Sequence, residues 1–281
     1  MIWLLGALIF WAFAWATNIW MANSRAAGLW PVRVAVPVLF GLTLLVLWEG
    51  LVRAFDISPV ILPAPTRIAQ TFAASTDLLW VDFQQTVLKG ALRGFAIGAA
   101  AAFVVAVAID KSAFLTRGLL PIGNFVAALP IVGIAPILVS WFGFDWQSKA
   151  AVVVVMVFFP ILVNTVQGLR EADVLQRDLM RTYAASYGQT LFKLRLPAAM
   201  PFIFNGLKIA TTLALIGAII AEYFGSPTRG MGFRISTGVG SLSIDLVWAE
   251  IAVAAAAGTA LYGAVAWIEK RVTFWHPSQR G

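Results

Sequence analysis

The sequence contains no cysteine and only one histidine, His276. It therefore forms no disulfide and no thiolate metal site, and a lone imidazole does not make a His-based metal or catalytic cluster. We expect no metal and no cofactor. Charge is also scarce, because Asp, Glu, Lys and Arg make up 12% of the 281 residues. A soluble domain of this length would carry roughly twice that share.

Apolar residues are abundant, at 60% of the chain with a mean hydropathy of +0.86. Such a composition suits a lipid bilayer, where a helix of about 20 apolar residues crosses the hydrocarbon layer and satisfies its own backbone. The net charge of +7 is not gathered into a basic patch with interleaved aromatics, so we do not predict nucleic-acid binding. Apolar runs that can each span a bilayer fall near 2–22, 34–55, 90–109, 120–142, 149–168, 203–224 and 246–268.

The first apolar run is treated as a separate unit, residues 1–30, ahead of a main transmembrane domain over 31–281. A signal peptide would begin with basic residues, whereas this chain begins Met1-Ile2-Trp3. Met21 also opens a plausible shorter protein, which leaves an upstream start open as an alternative. We expect an extra transmembrane helix here.

Basic residues indicate the orientation. When the segment 169–201 is placed inside, the inside segments carry more Lys and Arg than the outside ones. The excess of Lys and Arg in cytoplasmic loops therefore predicts a cytoplasmic C-terminus.

The segment 169–201 is the longest charged stretch between apolar runs. Leu175, Leu179 and Tyr183 recur at helical spacing and form an apolar stripe. Ser186 with Gln189 three residues later is a capping-box pattern that predicts the start of a second short helix. We expect Pro197 and Pro201 to end that helix. Two short amphipathic helices could dock a soluble partner or lie on anionic lipid, and the pattern alone leaves both possibilities open.

This segment resembles the signature loop of bacterial ABC-importer permeases, which reads Glu-Ala-Ala, three residues, Gly, nine residues, Ile-x-Leu-Pro. The resemblance continues through Ala221 to Gly225 and Gly230-Met231-Gly232, and is similar to the nitrate, taurine, sulfonate and thiamine-precursor branch. The glycine position holds Ala184, which must either avoid a left-handed conformation or be strained in it. The positions that the resemblance implies for ATPase coupling are Asp178, Arg181, Tyr183, Ala184, Leu194, Leu196 and Pro197.

The resemblance implies an all-α polytopic membrane protein with the type I, MetI-like importer fold, a six-helix core plus one extra N-terminal helix. It also implies a bacterial inner membrane location and transport of a small polar or anionic organic solute, of the nitrate, taurine, sulfonate or pyrimidine-precursor type, by alternating access. The implied partners are two ABC ATPase subunits, a second permease copy or sister chain, and a periplasmic solute-binding protein. The chain has no Gly-x-x-x-x-Gly-Lys-Ser/Thr loop, so we expect ATP hydrolysis in a separate subunit.

Polar residues inside apolar runs are candidates for the substrate pathway, because burying them in hydrocarbon costs free energy. Asn and Gln also commonly hydrogen-bond neighbouring helices, and a proline can act as a simple kink in a helix. Glu222 could hold an outer gate, pair with an arginine, contact a binding protein or mark an exposed helix end. The candidates are Asn124, Pro130, Gly133, Asn164, Asn205, Glu222 and Tyr223.

Two other classes of membrane protein compete with the importer. A secondary transporter or channel driven by an ion gradient would show repeated halves and acids near the bilayer midplane. No matching halves are evident here, and Glu222 lies near the end of a run. A membrane anchor or sensor would not need so many spans.

Overall fold

The computed structural model describes residues 2–112, 129–225 and 228–275, together with 114, 115, 117, 118, 122, 123 and 126. Within this described part every regular element is helical. The helices are α1 Ile2–Asn23, α2 Trp30–Ala54, α3 Pro65–Ala74, α4 Thr76–Phe83, α5 Leu92–Lys111, α6 Ile131–Phe142, α7 Trp146–Arg170, α8 Val174–Thr182, α9 Tyr187–Thr190, α10 Leu196–Gly225, α11 Met231–Gly240 and α12 Ile244–Val272.

Two π-helical segments join pairs of these helices without a break. Gln84–Ala91 links α4 to α5, and Leu191–Arg195 links α9 to α10. As a result, six continuous helical stretches in the described part are long and apolar enough to cross a membrane. They are Ile2–Asn23, Trp30–Ala54, Thr76–Lys111, Trp146–Arg170, Tyr187–Gly225 and Ile244–Val272.

The apolar run at 120–142 does not form one helix. Its described C-terminal part is α6, which begins after Leu129 and the extended residue Pro130. Proline has no backbone N–H, and it disfavours a helical conformation of the residue before it, so the helix is interrupted at this point. At 12 residues, α6 is shorter than a bilayer-spanning helix.

The expected helix end at Pro197 and Pro201 is wrong, because α10 begins at Leu196 and continues through both prolines to Gly225. The π-helical segment Leu191–Arg195 lies directly before them. A π-turn changes the hydrogen-bond pairing from i→i−4 to i→i−5 and so gives room to residues that lack a backbone N–H.

The chain divides into two compact units. The smaller comprises Met1–Leu79 and Thr237–Glu250, and the larger comprises Trp80–Ser236 and Ile251–Gly281. In the smaller unit α1 packs along α2, and Thr66 donates a hydrogen bond of 2.8 Å to Glu49. Asp245 accepts hydrogen bonds there from Arg67 at 3.2 Å and Thr71 at 3.1 Å.

The core of the larger unit is built by α5, α7 and α10. Most of its fully buried side chains are small or β-branched, including Ala102 of α5, Val153 and Val157 of α7 and Ala214 of α10. Small side chains let helix backbones approach closely, which is how helices associate where no water drives them together.

Candidate functional site

The connecting segment, residues 171–186, runs between α7 and α9 and contains α8. Asp173 caps α8, because its carboxylate accepts the Leu175 backbone N–H at 2.8 Å. At the other end, Ser186 and Gln189 form the expected capping box, with bonds of 3.3 and 2.8 Å. That prediction is confirmed. Both helix starts are therefore set by local side-chain acceptors for backbone amides that would otherwise be unpaired.

Large apolar side chains of the connecting segment point outward. The exposed fraction is 77% for Leu175, 54% for Leu179 and 76% for Tyr183. On the same short helix, Arg181 donates to Asp178 at 3.1 Å, and this ion pair is also exposed. The segment thus offers an apolar strip next to charges, which is the composition of a protein-docking surface.

Ala184 has a φ of +50°, so it adopts the left-handed conformation that the sequence analysis left open. Its backbone N–H bonds the Arg181 carbonyl at 2.8 Å and closes the turn after α8. A side chain with a Cβ is disfavoured in this conformation by about 1–2 kcal/mol. The turn geometry is therefore kept at the expense of local backbone strain.

Arg195 ties the connecting segment to the bundle. Its guanidinium donates to both carboxylate oxygens of Asp110 at 2.5 and 2.7 Å, and to the Leu169 carbonyl at 2.9 Å. The Tyr187 hydroxyl also donates to Asp110, at 2.8 Å. Asp110 lies at the end of α5 and Leu169 at the end of α7. One arginine therefore joins the ends of two core helices to the helix that follows the connecting segment.

The seven residues assigned to ATPase coupling divide into two groups. Asp178, Arg181, Tyr183 and Ala184 are exposed on the connecting segment. The other three are half-buried within the continuous helix Tyr187–Gly225, where Leu196 packs against the cluster of Leu169, Leu191, Ala199 and Ile203. Those three are Leu194, Leu196 and Pro197.

Two of the pathway candidates contact each other. Asn205 of α10 donates to the Asn164 side chain of α7 at 3.0 Å, and Asn164 donates to the Pro160 carbonyl at 2.8 Å. Near them, Lys208 pairs with Glu269 of α12 at 2.8 Å. The larger unit therefore has a polar interhelical layer near the start of α10.

Glu222 lies towards the other end of α10 and is completely buried, so it is not an exposed helix end. Its carboxylate accepts the Thr86 hydroxyl at 2.6 Å and the Gly232 backbone N–H at 3.2 Å. No arginine pairs with it among the described residues. Its neighbour Tyr223 is 45% exposed.

The pathway candidates do not form one site. Asn205 and Glu222 are about 25 Å apart along α10, at 1.5 Å per residue. Pro130 and Gly133 are exposed at the start of α6, and Asn124 lies outside the described residues. Within the part of the chain that the structure describes, no group of His, Cys, Asp and Glu is arranged to hold a metal ion.

Sequence reasoning missed several partners of these residues. Asp82, Thr86, Asp110, Arg195 and Glu269 all make buried or half-buried polar contacts across helices. Asp110 and Glu269 sit at the ends of apolar runs, where an acid is easily taken for an interfacial residue.

Comparison with known proteins agrees with this architecture. Residues 94–274 match the family of the binding-protein-dependent transport system inner membrane component. A probable ABC transporter permease protein of Haemophilus influenzae is 32% identical over 85% of this chain and 97% of its own length. The formylaminopyrimidine transport permease protein ThiX of Halalkalibacterium halodurans is 31% identical over 86% and 96%. The taurine transport system permease protein TauC of Escherichia coli is 28% identical over 88% and 92%.

The match covers most of the chain, and the long apolar helices of the described residues agree with a multi-pass membrane protein of the type I, MetI-like fold. The chain therefore belongs to the family of inner membrane components of binding-protein-dependent transport systems, the ABC-transporter permeases.

Proposed function

We propose that this chain is the permease subunit of an ABC importer and that its connecting segment docks onto a separate ATPase subunit. The observation that carries the proposal is the exposed apolar strip of Leu175, Leu179 and Tyr183, on a segment whose following helix is held by the Arg195–Asp110 anchor. The strip offers a docking surface, and the anchor offers a rigid connection from that surface to the core helices.

In this mechanism ATP binding brings two ATPase subunits together and moves two docked connecting segments. A ligand shifts a conformational equilibrium only through its different affinity for the two states, and nucleotide supplies that difference. Two permease chains, either two copies or one copy and a sister chain, enclose the pathway between them. The C-terminus and the connecting segment lie on the cytoplasmic side, and a periplasmic binding protein delivers the solute from the other side.

The proposed substrate is a small polar or anionic organic solute. Relatives of this chain are named as permeases for formylaminopyrimidine, aliphatic sulfonates and taurine. These solutes share a small size and a charged or strongly hydrogen-bonding group. The substrate of this chain is proposed to be of the same chemical class.

The docking assignment is tested by purifying the native complex through a tag on this chain and measuring the ATPase that co-purifies. Tyr183→Asp puts a charge into the centre of the apolar strip, so we expect at least a tenfold loss of bound ATPase with unchanged membrane insertion. Reversing the charges at Asp178 and Arg181 together should act in the same direction.

Phe274→Asp is the matched control, because Phe274 is an aromatic side chain with a similar exposed fraction of 69% outside the connecting segment. It should retain the ATPase. Full retention of ATPase by the Tyr183 variant would refute docking through this segment.

A further inference from the structure

The first two helices form a hairpin that is closely packed at one end and open at the other. α1 and α2 belong to the same compact unit and pack along each other. At one end Gly50 leaves room for the buried side chain of Ala7, with which a Cβ at position 50 would clash. Nearer the turn between the helices, the ring centroids of Trp15 and Phe40 are 6.5 Å apart. Large side chains there keep the helices apart and leave a cleft between them.

This cleft, which we call the hairpin cleft, has a volume of about 320 Å³ and an almost entirely apolar wall. α1 contributes Trp15, Ile19 and Ala22 to the wall, and α2 contributes Val36, Pro37 and Phe40. The volume is about ten times the roughly 30 Å³ that one water molecule occupies in the liquid, so a length of hydrocarbon chain fits. Ile19 and Phe40 are 50% and 46% exposed, so the cleft opens to the surface of the hairpin.

Two arginines lie at the open end of the hairpin. Arg25 is in the turn that follows α1, and Arg33 is in the first turn of α2. They are the only charged side chains among residues 1–48. Both are exposed, and neither forms an ion pair with another described residue. The open end therefore carries two positive charges, while the first acid of the chain, Glu49, lies towards the other end of α2 and pairs with Arg53.

Helical spacing puts Arg33 on the cleft side of α2. Arg33 precedes Pro37 by four residues and Phe40 by seven, and residues at this spacing share one face of a helix. Long side chains of a helix lean towards its N-terminus, which for α2 is the turn, so the guanidinium extends from the cleft towards the end of the hairpin. Trp20 and Trp30, 72% and 76% exposed, lie at the same end, as is typical of the boundary between hydrocarbon and headgroups.

The cleft wall also holds one unpaired polar group. Asn18 lines the cleft, and its Oδ1 atom is buried with no hydrogen-bond partner among the described residues. An amide inside a membrane is costly unless it is paired. Along the chain Asn18 lies between Trp15 and Arg25, and so between the apolar and the charged parts of the site. The ester groups of a phospholipid likewise lie between its acyl chains and its phosphate, and their oxygens accept hydrogen bonds from an amide.

We propose that the hairpin cleft and its two arginines bind one anionic phospholipid, with an acyl chain in the cleft and the phosphate between Arg25 and Arg33. Charge complementarity selects this occupant, because a hydrocarbon chain alone does not use the arginines and a zwitterionic lipid brings a cationic group that opposes them. The orientation proposed above places the site in the cytoplasmic leaflet, whose surface is negatively charged. Lipid binding here depends neither on transport nor on docking of an ATPase, so its failure would leave the proposed function intact.

The test titrates the full chain, purified and delipidated in detergent, with phosphatidylglycerol or phosphatidylcholine of identical acyl chains. Native mass spectrometry gives the dissociation constant of the first bound lipid and the number of protein chains in each particle. With two arginines near the phosphate, we expect phosphatidylglycerol to bind roughly tenfold more tightly than phosphatidylcholine. Equal affinities would overturn the proposal.

The charge requirement is tested by Arg25→Gln together with Arg33→Gln, which removes both cations and should abolish the preference for phosphatidylglycerol. Lys270→Gln with Arg271→Gln is the matched control, because it removes two exposed basic side chains from the end of α12. The control should keep the preference. Equal losses in the two variants would overturn the proposal, because the lipid would then respond only to net charge.

The cleft is tested by Val36→Phe, which fills it without altering charge and should weaken phosphatidylglycerol binding about fivefold through lost apolar burial. Val38→Phe is the matched control, since Val38 is on the same helix, 54% exposed and outside the cleft wall. It should bind the lipid as the unaltered chain does. Unchanged binding by Val36→Phe would refute an acyl chain in the cleft. Loss of a dimer in that variant, with lipid binding unchanged, would assign the cleft to a second copy and overturn the proposal.

A measurement on the unaltered chain applies if a variant is not recovered in folded form. Phosphatidylglycerol and phosphatidylcholine with a photoreactive diazirine in one acyl chain are cross-linked to the chain in nanodiscs, and the modified peptides are mapped by mass spectrometry. We expect cross-links within residues 15–40 to be about threefold more abundant with phosphatidylglycerol. Equal abundance with the two lipids, or cross-links only elsewhere, would refute the site.

Discussion

Arg195 and Asp110 form a two-pronged ion pair, with Nη2 to Oδ1 at 2.5 Å and Nη1 to Oδ2 at 2.7 Å. Their side chains are only 13% and 9% exposed. They are far apart in the chain, yet together they connect the end of α5 to the π-helical segment that precedes α10. Movement of the connecting segment would therefore reach the core helices through a rigid, directional contact rather than through a flexible loop.

Removing one partner of this pair should destabilise the protein more than removing both. Arg195→Met or Asp110→Leu alone leaves a largely buried charge without its partner, and we expect a loss of about 3 kcal/mol. The double variant has an apolar pair in the same place and should recover at least half of that loss. The free energy of unfolding, measured by denaturant titration in detergent micelles, gives all three values.

The exposed Asp178–Arg181 pair is the control for that cycle, because solvent screens it. Asp178→Ala should hardly change the free energy of unfolding. If Asp110→Leu is equally mild, Arg195 does not anchor the connecting segment.

Ala184→Gly should stabilise the turn after α8. Glycine adopts the φ of +50° without the steric penalty of a Cβ, and the expected gain is about 1 kcal/mol. Ala185→Gly is the matched control, since Ala185 is not among the residues with positive φ and glycine there only adds unfolded-state entropy. A stability loss of the same size in both variants would contradict backbone strain at Ala184.

Ser186→Ala should loosen the start of α9. The variant loses the acceptor for the Gln189 backbone N–H, a change that costs about 1 kcal/mol at a helix N-cap. The expected result is faster proteolytic cleavage between residues 183 and 187. Ser186→Asp keeps a capping acceptor and should resemble the unaltered chain, so equal cleavage of both variants would argue against the capping box.

Gly232→Ala and Gly133→Ala should have opposite effects on stability. The added methyl at position 232 meets backbone atoms of α10, and we expect a loss of more than about 2 kcal/mol. Among the described residues nothing lies within 4 Å of a Cβ at position 133, and alanine is the better helix former by about 1 kcal/mol. Thermal unfolding of the two purified variants in the same detergent compares them directly.

A Gly232→Ala variant with unchanged stability would contradict close packing of α11 on α10. A strong loss of stability in Gly133→Ala would mean that another part of the folded protein packs closely against α6 at this position.

Local patterns predicted local structure well. The Ser186–Gln189 capping box is present, and the apolar runs correspond to the long helices apart from the run at 120–142. One local prediction of a helix end failed. Pro197 does not end a helix, because a π-helical segment directly precedes it.

Contacts between distant residues could not be predicted in this way. The sequence marked Glu222 as an intramembrane acid but did not indicate Thr86 or Gly232 as its partners. Likewise, only the structure pairs Lys208 with Glu269. Single-chain periodicity contains no information on which faces of two helices meet.

By itself the sequence determined that the chain is helical and lies in a membrane. Hydrocarbon thickness and the demand for internal backbone hydrogen bonds act on each run of about 20 residues separately, so composition and length suffice. Tertiary structure decided which scattered charges meet, such as Asp110 with Arg195 and Asp82 with the start of α11. Those choices follow from close packing of helix faces, which depends on residues that are 85 and 148 positions apart in these two cases.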